Sequence, residues 1–369
     1  MINLIGINRK IDLTMLLSVI LLCIYGAIAV FSATQSNASA SGDQYFLLKK
    51  EILAMLIGFI ALIVMTLGDY NRWKTYIVPL YILNIVLLMV VLAIGSSHKG
   101  AQSWFEIGSF QLQPSEFSKL ILIVTLASFF ANRRSQLDSI QDLGMSLLHV
   151  GIPLLLVLLQ PDLGTALCYV AILLGMMLVA GFPARHFAIL AIAGIIVVFC
   201  AVQFHVLQDY QLSRLTVFVN PDNDPRGAGY NLLQSKIAVG SGQFFGKGLF
   251  SGTQTRLQFL PERHTDFIFS VIGEEAGFIG AALLLILFLV LIVRGIRTAA
   301  YSKNMFGTLL AAGIVSLWLF QILVNIGMTI GLMPITGIPL PFVSYGNSSL
   351  MVHLMSVGIL LNVYTRSYV

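Results

Sequence analysis

Charge is scarce in this chain. Only 10 % of its 369 residues are Asp, Glu, Lys or Arg, where a soluble domain carries about 25 %. Apolar residues fill 57 %. A water-soluble globule of this length has no interior large enough for that much apolar surface. Soluble classes are excluded, and the chain must use lipid as its solvent. Cysteine is nearly absent. Cys23, Cys168 and Cys200 stand singly inside apolar runs, without metal or redox spacing, and read as small core residues. There is no internal repeat, low-complexity tract or lipidation signal. The net charge of +5 is too small to argue for a nucleic-acid partner.

What is present is a series of apolar runs. A spanning helix needs roughly 20 mainly apolar residues. Ten runs qualify, at about 12–33, 52–68, 76–95, 116–132, 144–160, 163–181, 185–204, 267–293, 306–332 and 342–364. The first is read as a span and not as a signal peptide, because it is too long and lacks a small-residue cleavage site. The expected fold is therefore all-α, a polytopic membrane protein forming one domain over 1–369. Lys and Arg in short loops set orientation. With the N-terminus inside, eleven fall in cytoplasmic segments: Arg9, Lys10, Arg72, Lys74, Arg133, Arg134, Arg185, Arg294, Arg297, Lys303 and Arg366. Three, Lys49, Lys50 and Lys99, fall in short outer loops. Both termini are expected in the cytoplasm.

One loop breaks the pattern. Residues 205–266 form a long polar extracytoplasmic connection between spans seven and eight, and loops of this length usually carry function. It holds both acids and bases, with turn signals at Asn220-Pro221-Asp222 and Asp224-Pro225. Residues 230–239 read as a short amphipathic helix that can lie on the outer membrane surface.

Ionisable groups at membrane depth are costly and mark function by default. In Gln113-Pro114-Ser115-Glu116-Phe117-Ser118-Lys119, proline and Ser115 as a cap signal a helix start. The i, i+3 spacing puts Glu116 and Lys119 within pairing reach, as a structural ion pair or as lining of a site. Asp162, in Gln160-Pro161-Asp162-Leu163-Gly164-Thr165, can cap span six, either for structure alone or beside a site. Leu260 through Phe269 is the richest segment. There Glu262, Arg263, His264 and Asp266 precede an apolar run. At a helix mouth, the dipole favours ionised Asp266 and partial burial opposes it. A carboxylate so balanced can be a general base, or a simple N-cap. His264 has no second His at metal spacing and is not read as a ligand. Glu274 and Glu275 lie further along the same helix, so at least one must face protein or water. Pro334, Pro339 and Pro341, followed by Ser344-Tyr345-Gly346-Asn347, predict broken backbone that lines a cavity or is buried by protein. The charges gather on one side of the membrane. That favours a lipid-linked substrate met at the outer leaflet over a transporter with midplane charges.

At these residues the chain resembles the SEDS family (shape, elongation, division and sporulation), and within it the rod-shape branch. The resemblance runs through nearly the whole chain. It is carried by Lys99-Gly100-Ala101, Gln113 to Glu116, Gln160 to Thr165, Gly227-Ala228-Gly229-Tyr230, Gln234-Ser235-Lys236, Leu260 to Phe269, Pro339-Leu340-Pro341 and Ser344-Tyr345-Gly346. It implies a peptidoglycan glycosyltransferase in the cytoplasmic (inner) membrane, with its active site facing out. The donor would be a glycan on undecaprenyl pyrophosphate, the acceptor lipid II, and the partner a class B penicillin-binding protein. It places the catalytic aspartate on Asp266. Around it, the resemblance implies that Lys50, Lys99, Trp104, Glu116, Lys119, Asp162, Arg214, Gln234, Lys236, Arg263, His264 and Ser344 contact substrate. A divalent cation, Mg or Mn, is a possible helper. Departures from the family pattern are Lys50 in place of Arg, Ser103 before Trp104, Leu212 in Tyr210-Gln211-Leu212-Ser213-Arg214, and Asn347 after Gly346. They leave open which of Lys50, Lys99, Lys119, Arg214 and Arg263 holds the pyrophosphate. A lipid II flippase and a non-catalytic scaffold remain as alternatives.

Overall fold

The computed structural model describes residues 11–35, 45–98, 101–108, 110–133, 137–204, 209–221, 224–225 and 227–367. Lys99, Gly100 and Arg134 lie outside them. Ten helices among the described residues are long and apolar enough to cross a membrane, as the apolar runs predict. In chain order the helices are α1 (Leu13–Thr34), α2 (Phe46–Leu67), α3 (Ile77–Ile94, extended by a 3-10 segment at Tyr70–Tyr76), α4 (Pro114–Asn132), α5 (Ile140–Leu159), α6 (Leu163–Ala180), α7 (Ala184–Gln203), α8 (Asp209–Val219), α9 (Ala228–Ser241), α10 (Thr253–Arg256), α11 (Ile268–Ala300), α12 (Met305–Ile330) and α13 (Asn347–Ser367). A small antiparallel sheet, β1 (Ser96–His98), β2 (Ala101–Ile107) and β3 (Phe110–Leu112), joins α3 to α4. Its register pairs Ser96 with Trp104 and Phe105 with Leu112.

The helices sort by composition. The least hydrophobic spans, α4 and α13, are the most buried, and α12 is buried with them. Their polar residues find partners inside the bundle. The outer helices α2, α3 and α7 turn apolar side chains outward. Lipid can cover these at no cost, because its tails are as apolar as leucine. Close contacts use glycine where backbones meet. A Cβ on Gly26 would lie 2.6 Å from Phe342 O, and one on Gly358 would lie 2.5 Å from Leu62 O. Helix ends are tied across the bundle. Asp12 caps α1 by accepting from Met15 N (3.1 Å), and it receives Arg294 Nε from α11 (2.6 Å).

The main differences from the sequence expectation lie around the long loop. The stretch 205–266 is largely helical where described, because α8, α9 and α10 fall within it. The expected amphipathic helix at 230–239 is α9, but Leu232, Ser235 and Ala238 are buried. Ser235 Oγ bonds Ser270 Oγ (2.6 Å) and donates to Thr329 O (2.7 Å). The helix therefore packs on α11 and α12, leaving Leu233, Lys236, Ile237 and Gly240 exposed. The span expected at 267–293 is a longer helix, Ile268–Ala300, broken at Gly277 (φ 62°, ψ −159°). Its 33 residues would run about 50 Å, well beyond a hydrocarbon core of about 30 Å. Residues 268–275 are wholly buried by protein, and the outward apolar face starts at Phe278. Loop residues 243–248 fill the break. Phe278 N donates to Gln243 O (2.9 Å), Ile279 N to Phe244 O (3.2 Å), Lys247 N to Glu274 O (3.0 Å) and Gly248 N to Glu275 O (3.0 Å). The sheet before α4 had no signal in the sequence reading.

Gly358→Val should force α2 away from α13 and cost roughly 1–3 kcal/mol, read as a lower melting temperature in detergent. Gly151→Ala, where a Cβ meets nothing within 4 Å, should be neutral or slightly stabilising. Equal melting temperatures for the two variants would contradict the packing described.

Candidate active site

Asp266 sits two residues before α11, on a turn held from three sides. Thr265 N, Asp266 N and Phe267 N all donate to Glu262 O, at 3.2, 3.0 and 3.2 Å. Ser344 Oγ donates to Thr265 O (2.6 Å) and accepts from Leu340 N (2.8 Å). Asn325, fully buried in α12, donates through Nδ2 to Asp266 O (3.0 Å) and Ile338 O (2.8 Å). One side chain thus pins the aspartate to the proline-broken segment at 334–341. Asn325 was not singled out in the sequence. A polar residue inside an apolar span was the available signal.

The broken segment is the meeting place. Gly337 has φ +74°, and a Cβ there would lie 3.4 Å from both Asp266 Oδ2 and Arg214 Nη1. Carboxylate and guanidinium therefore flank this glycine, within about 7 Å of each other, close enough to attract through a partly dehydrated medium. Arg214 is held from α8 by Nη1 donating to Thr336 O (3.2 Å). On the other side, Gly164 abuts Thr336 O and Ile338. This brings the Asp162 cap of α6 to the same segment.

Asp162 is an N-cap, as expected. It accepts from Thr165 N (3.0 Å) and Thr165 Oγ1 (2.7 Å), and from Gln113 Nε2 (3.1 Å). Ser115 is not the cap of α4. Gln113 holds that position with Pro114 next, and the Ser115 hydroxyl points to Asp162 (3.5 Å). Glu116 and Lys119 form the predicted pair, at 2.6 Å, both almost wholly buried. Asp162 lies within electrostatic reach of Lys119. Glu116 Oε2 has no hydrogen-bond partner among the described residues. Glu274 and Glu275 are both buried. Glu274 accepts from Lys247 Nζ (2.9 Å), Thr253 Oγ1 (3.0 Å) and Gln254 N (3.0 Å). Glu275 accepts from Ser32 Oγ (2.5 Å). They lock the loop and do not face the Gly337 cluster.

The other predicted residues divide. The His264 ring lies tilted against Tyr345 (5.6 Å between rings), and its carbonyl receives Tyr345 N (2.9 Å). Arg263 turns away, donating through Nε to Ala33 O (2.7 Å) at the end of α1. Burial lowers the affinity of its guanidinium for the proton, and Glu262 restores part of it. Lys236 lays its stem against Gly331. Gln234 is half-buried on α9. The Lys50 ammonium lies 4.2 Å above the Phe46 ring. Trp104 is half-buried on β2, its carbonyl taking Ser96 Oγ (3.1 Å). Lys99 lies outside the described residues. The structure thus gathers Asp266, Arg214, Asp162 and Ser344 around 334–341, with Glu116 and Lys119 behind Asp162. It does not bring Lys50 or Arg263 to Gly337.

Comparison with known proteins fits this arrangement. Residues 12–368 match the FtsW, RodA and SpoVE family, described as cell cycle proteins. The chain belongs to this family. It is 39 % identical to the peptidoglycan glycosyltransferase MrdB of Escherichia coli strain K12, covering 96 % of this chain and 94 % of that one. It is equally 39 % identical to the stage V sporulation protein E of Bacillus subtilis, over 96 % and 98 %. Among solved structures it resembles a chain from work on a peptidoglycan synthase complex that coordinates polymerization and crosslinking (TM-score 0.80, 29 % identity, 97 % and 99 % covered). It also resembles the rod shape determining protein RodA of Thermus thermophilus (TM-score 0.72, 28 % identity, 98 % of each chain). The RodA-like character expected from the motifs is shown, as is the multi-pass membrane fold.

Lys119→Met should leave the Glu116 carboxylate buried without its cation and cost about 3–5 kcal/mol. Adding Glu116→Gln should recover most of that loss. A double-mutant cycle by thermal unfolding checks this, and additive losses would show that the pair is not coupled.

Proposed function

We propose that this protein is a peptidoglycan glycosyltransferase that polymerises lipid II during cell elongation. Family membership and the names of its relatives support the activity. The observation that carries the site is the flanking of Gly337 by a carboxylate and a guanidinium. Asp266 is the general base, and Arg214 is the cation that shares the Gly337 site with it. The acceptor sugar hydroxyl attacks the anomeric carbon of the donor glycan. Its proton passes to Asp266 as the new C–O bond forms. The bond from that carbon to the undecaprenyl pyrophosphate oxygen breaks, and its electron pair leaves with the pyrophosphate. A single displacement inverts the anomeric carbon. Asp266 contributes by taking the proton in the transition state. Holding two lipid-anchored sugars in line contributes by removing their freedom beforehand. Arg214 meets the charge that develops on the leaving group.

The choice of Arg214 among the candidate cations follows from its place beside Gly337 with Asp266. Lys119 serves Glu116, Arg263 serves Ala33 O, and Lys50 lies over Phe46. A guanidinium also grips phosphate in two places, as an ammonium does not. Asp162, Glu116, Lys119, Ser344 and His264 shape the surrounding wall. Trp104, Gln234 and Lys236 belong to the outer rim along which substrate approaches. Among the described residues no group of three or more His, Cys, Asp or Glu converges, and no step is assigned to a metal.

The Lys and Arg asymmetry of the short loops supports a cytoplasmic-membrane location with this site facing outward. The likeness to a chain of a peptidoglycan synthase complex supports a crosslinking partner, a class B penicillin-binding protein whose single span packs on this bundle. Asp266→Asn should unfold at the wild-type temperature and lower polymerisation of purified lipid II by about 10²–10⁴-fold. Polymerisation at the wild-type rate in that variant would remove Asp266 from the chemistry. A flippase or scaffold would be left unharmed by the same change.

A further inference from the structure

Side chains brace the Asp266 turn against the broken segment at 334–341. Ser344 Oγ donates to Thr265 O (2.6 Å) and accepts from Leu340 N (2.8 Å). Beside it, Asn325 Nδ2 donates to Asp266 O (3.0 Å) and Ile338 O (2.8 Å). A carboxamide nitrogen carries two hydrogens, so both are in use. Asn325 Oδ1 has no partner among the described residues, so the side chain bonds the protein through its donors. From the other side, Arg214 Nη1 donates to Thr336 O (3.2 Å). Thr336, Gly337 and Ile338 are consecutive. The aspartate is therefore tied, through Asn325, to the residue after Gly337, and the guanidinium to the residue before it.

Gly337 keeps the space between them open. It has φ +74°, and a Cβ there would lie 3.4 Å from both Asp266 Oδ2 and Arg214 Nη1. Asn325 is fully buried in α12, and a polar side chain at that depth is costly and marks function by default. It holds the backbone carbonyl of Asp266 and not the carboxylate, so it acts on the base through position. Rates fall steeply when a reacting group is displaced by about 1 Å. We propose that Asn325 is a positioning residue. With Gly337 as the spacer, it sets the separation of the Asp266 carboxylate and the Arg214 guanidinium, and so the rate of the chemical step rather than the affinity for substrate. This role rests on the reading of Asp266 as the general base and adds what fixes that base in place.

The test changes the two parts of this brace in two backgrounds. Asn325→Leu keeps the branched shape but has no donor. It should lower kcat for polymerisation of purified lipid II about 10²-fold, as for a misplacement of about 1 Å, with KM and lipid II binding at the wild-type values. Gly337→Ala leaves both Asn325 hydrogen bonds in place. It puts a methyl between carboxylate and guanidinium, at a left-handed backbone position that favours glycine. It should lower kcat in the same way, and it decides the matter if the Leu variant does not fold. Groups that act as a unit are not additive. In an Asp266→Asn background, neither change should therefore slow the residual reaction further. A wild-type kcat in folded Asn325→Leu would overturn the role, and a wild-type kcat in Gly337→Ala would do so where Asn325→Leu does not fold. An equal fold-change in both backgrounds would overturn it as well, because it would show damage to the structure and not to the placing of the base. The base itself is judged by Asp266→Asn alone, where a wild-type rate would overturn that reading before either position is changed.

Discussion

The site depends on a break in a helix. At Gly277 the backbone leaves the helical region, and the amides and carbonyls around it lose their own partners. Inside a membrane-embedded bundle no such group can be left unpaired, because lipid offers neither donors nor acceptors. The loop at 243–248 supplies the partners: the carbonyls of Gln243 and Phe244 accept from Phe278 N and Ile279 N, and the amides of Lys247 and Gly248 donate to Glu274 O and Glu275 O. This works only because glycines let two backbones touch. A Cβ on Gly277 would lie 2.3 Å from Gly246 N, and one on Gly242 would lie 1.9 Å from Gly273 O. Glu274 then ties down the turn at 253–255 through both carboxylate oxygens. From there the chain has only ten residues before Asp266. A loop that would otherwise wander is thus fixed at both ends, and the aspartate is fixed with it.

The second constraint is the cost of burying charge. Each buried ion needs a partner of good geometry. The bundle meets this locally. Glu116 and Lys119 satisfy one another one turn apart, and Asp162 takes amide and hydroxyl hydrogens at a helix start. Such arrangements use up the charge that they hold. The cations that sequence alone left equivalent become unequal by position: Lys119 pairs with Glu116, Arg263 reaches the end of α1, and Arg214 donates to Thr336 O and stands beside Gly337 with Asp266.

What could be read from the sequence was what has local causes. Ten spans follow from length and apolar content. The Glu116–Lys119 pair follows from i, i+3 spacing, and the Asp162 cap from an Asp just before an apolar run. The position of Asp266 at a helix mouth follows in the same way. What escaped has distant causes. Asn325 matters because it reaches residues 59 and 13 positions away. Ser115 fails as a cap because Pro114 already occupies the first helical turn and the preceding Gln113 takes the cap position. The sheet at 96–112 has strands of three, seven and three residues, too short to show a two-residue period. The helix expected to lie on the membrane at 230–239 is drawn onto the protein by Ser235, whose hydroxyl finds Ser270 and Thr329 O.

These causes combine in the sorting of the helices. Polar side chains lower the gain from facing lipid, so the helices that carry them move inward and meet there. Once α4, α12 and α13 are central, their polar groups must pair with each other or with the broken segment at 334–341. Asn325 and Ser344 pair in this way. Other buried atoms, donors such as Asn84 Nδ2 and Gln321 Nε2 as well as acceptors such as Glu116 Oε2, have no protein partner among the described residues. Glu274, by contrast, is met by five donors, because the loop it anchors must hold its shape for Asp266 to keep its place beside Gly337 and Arg214.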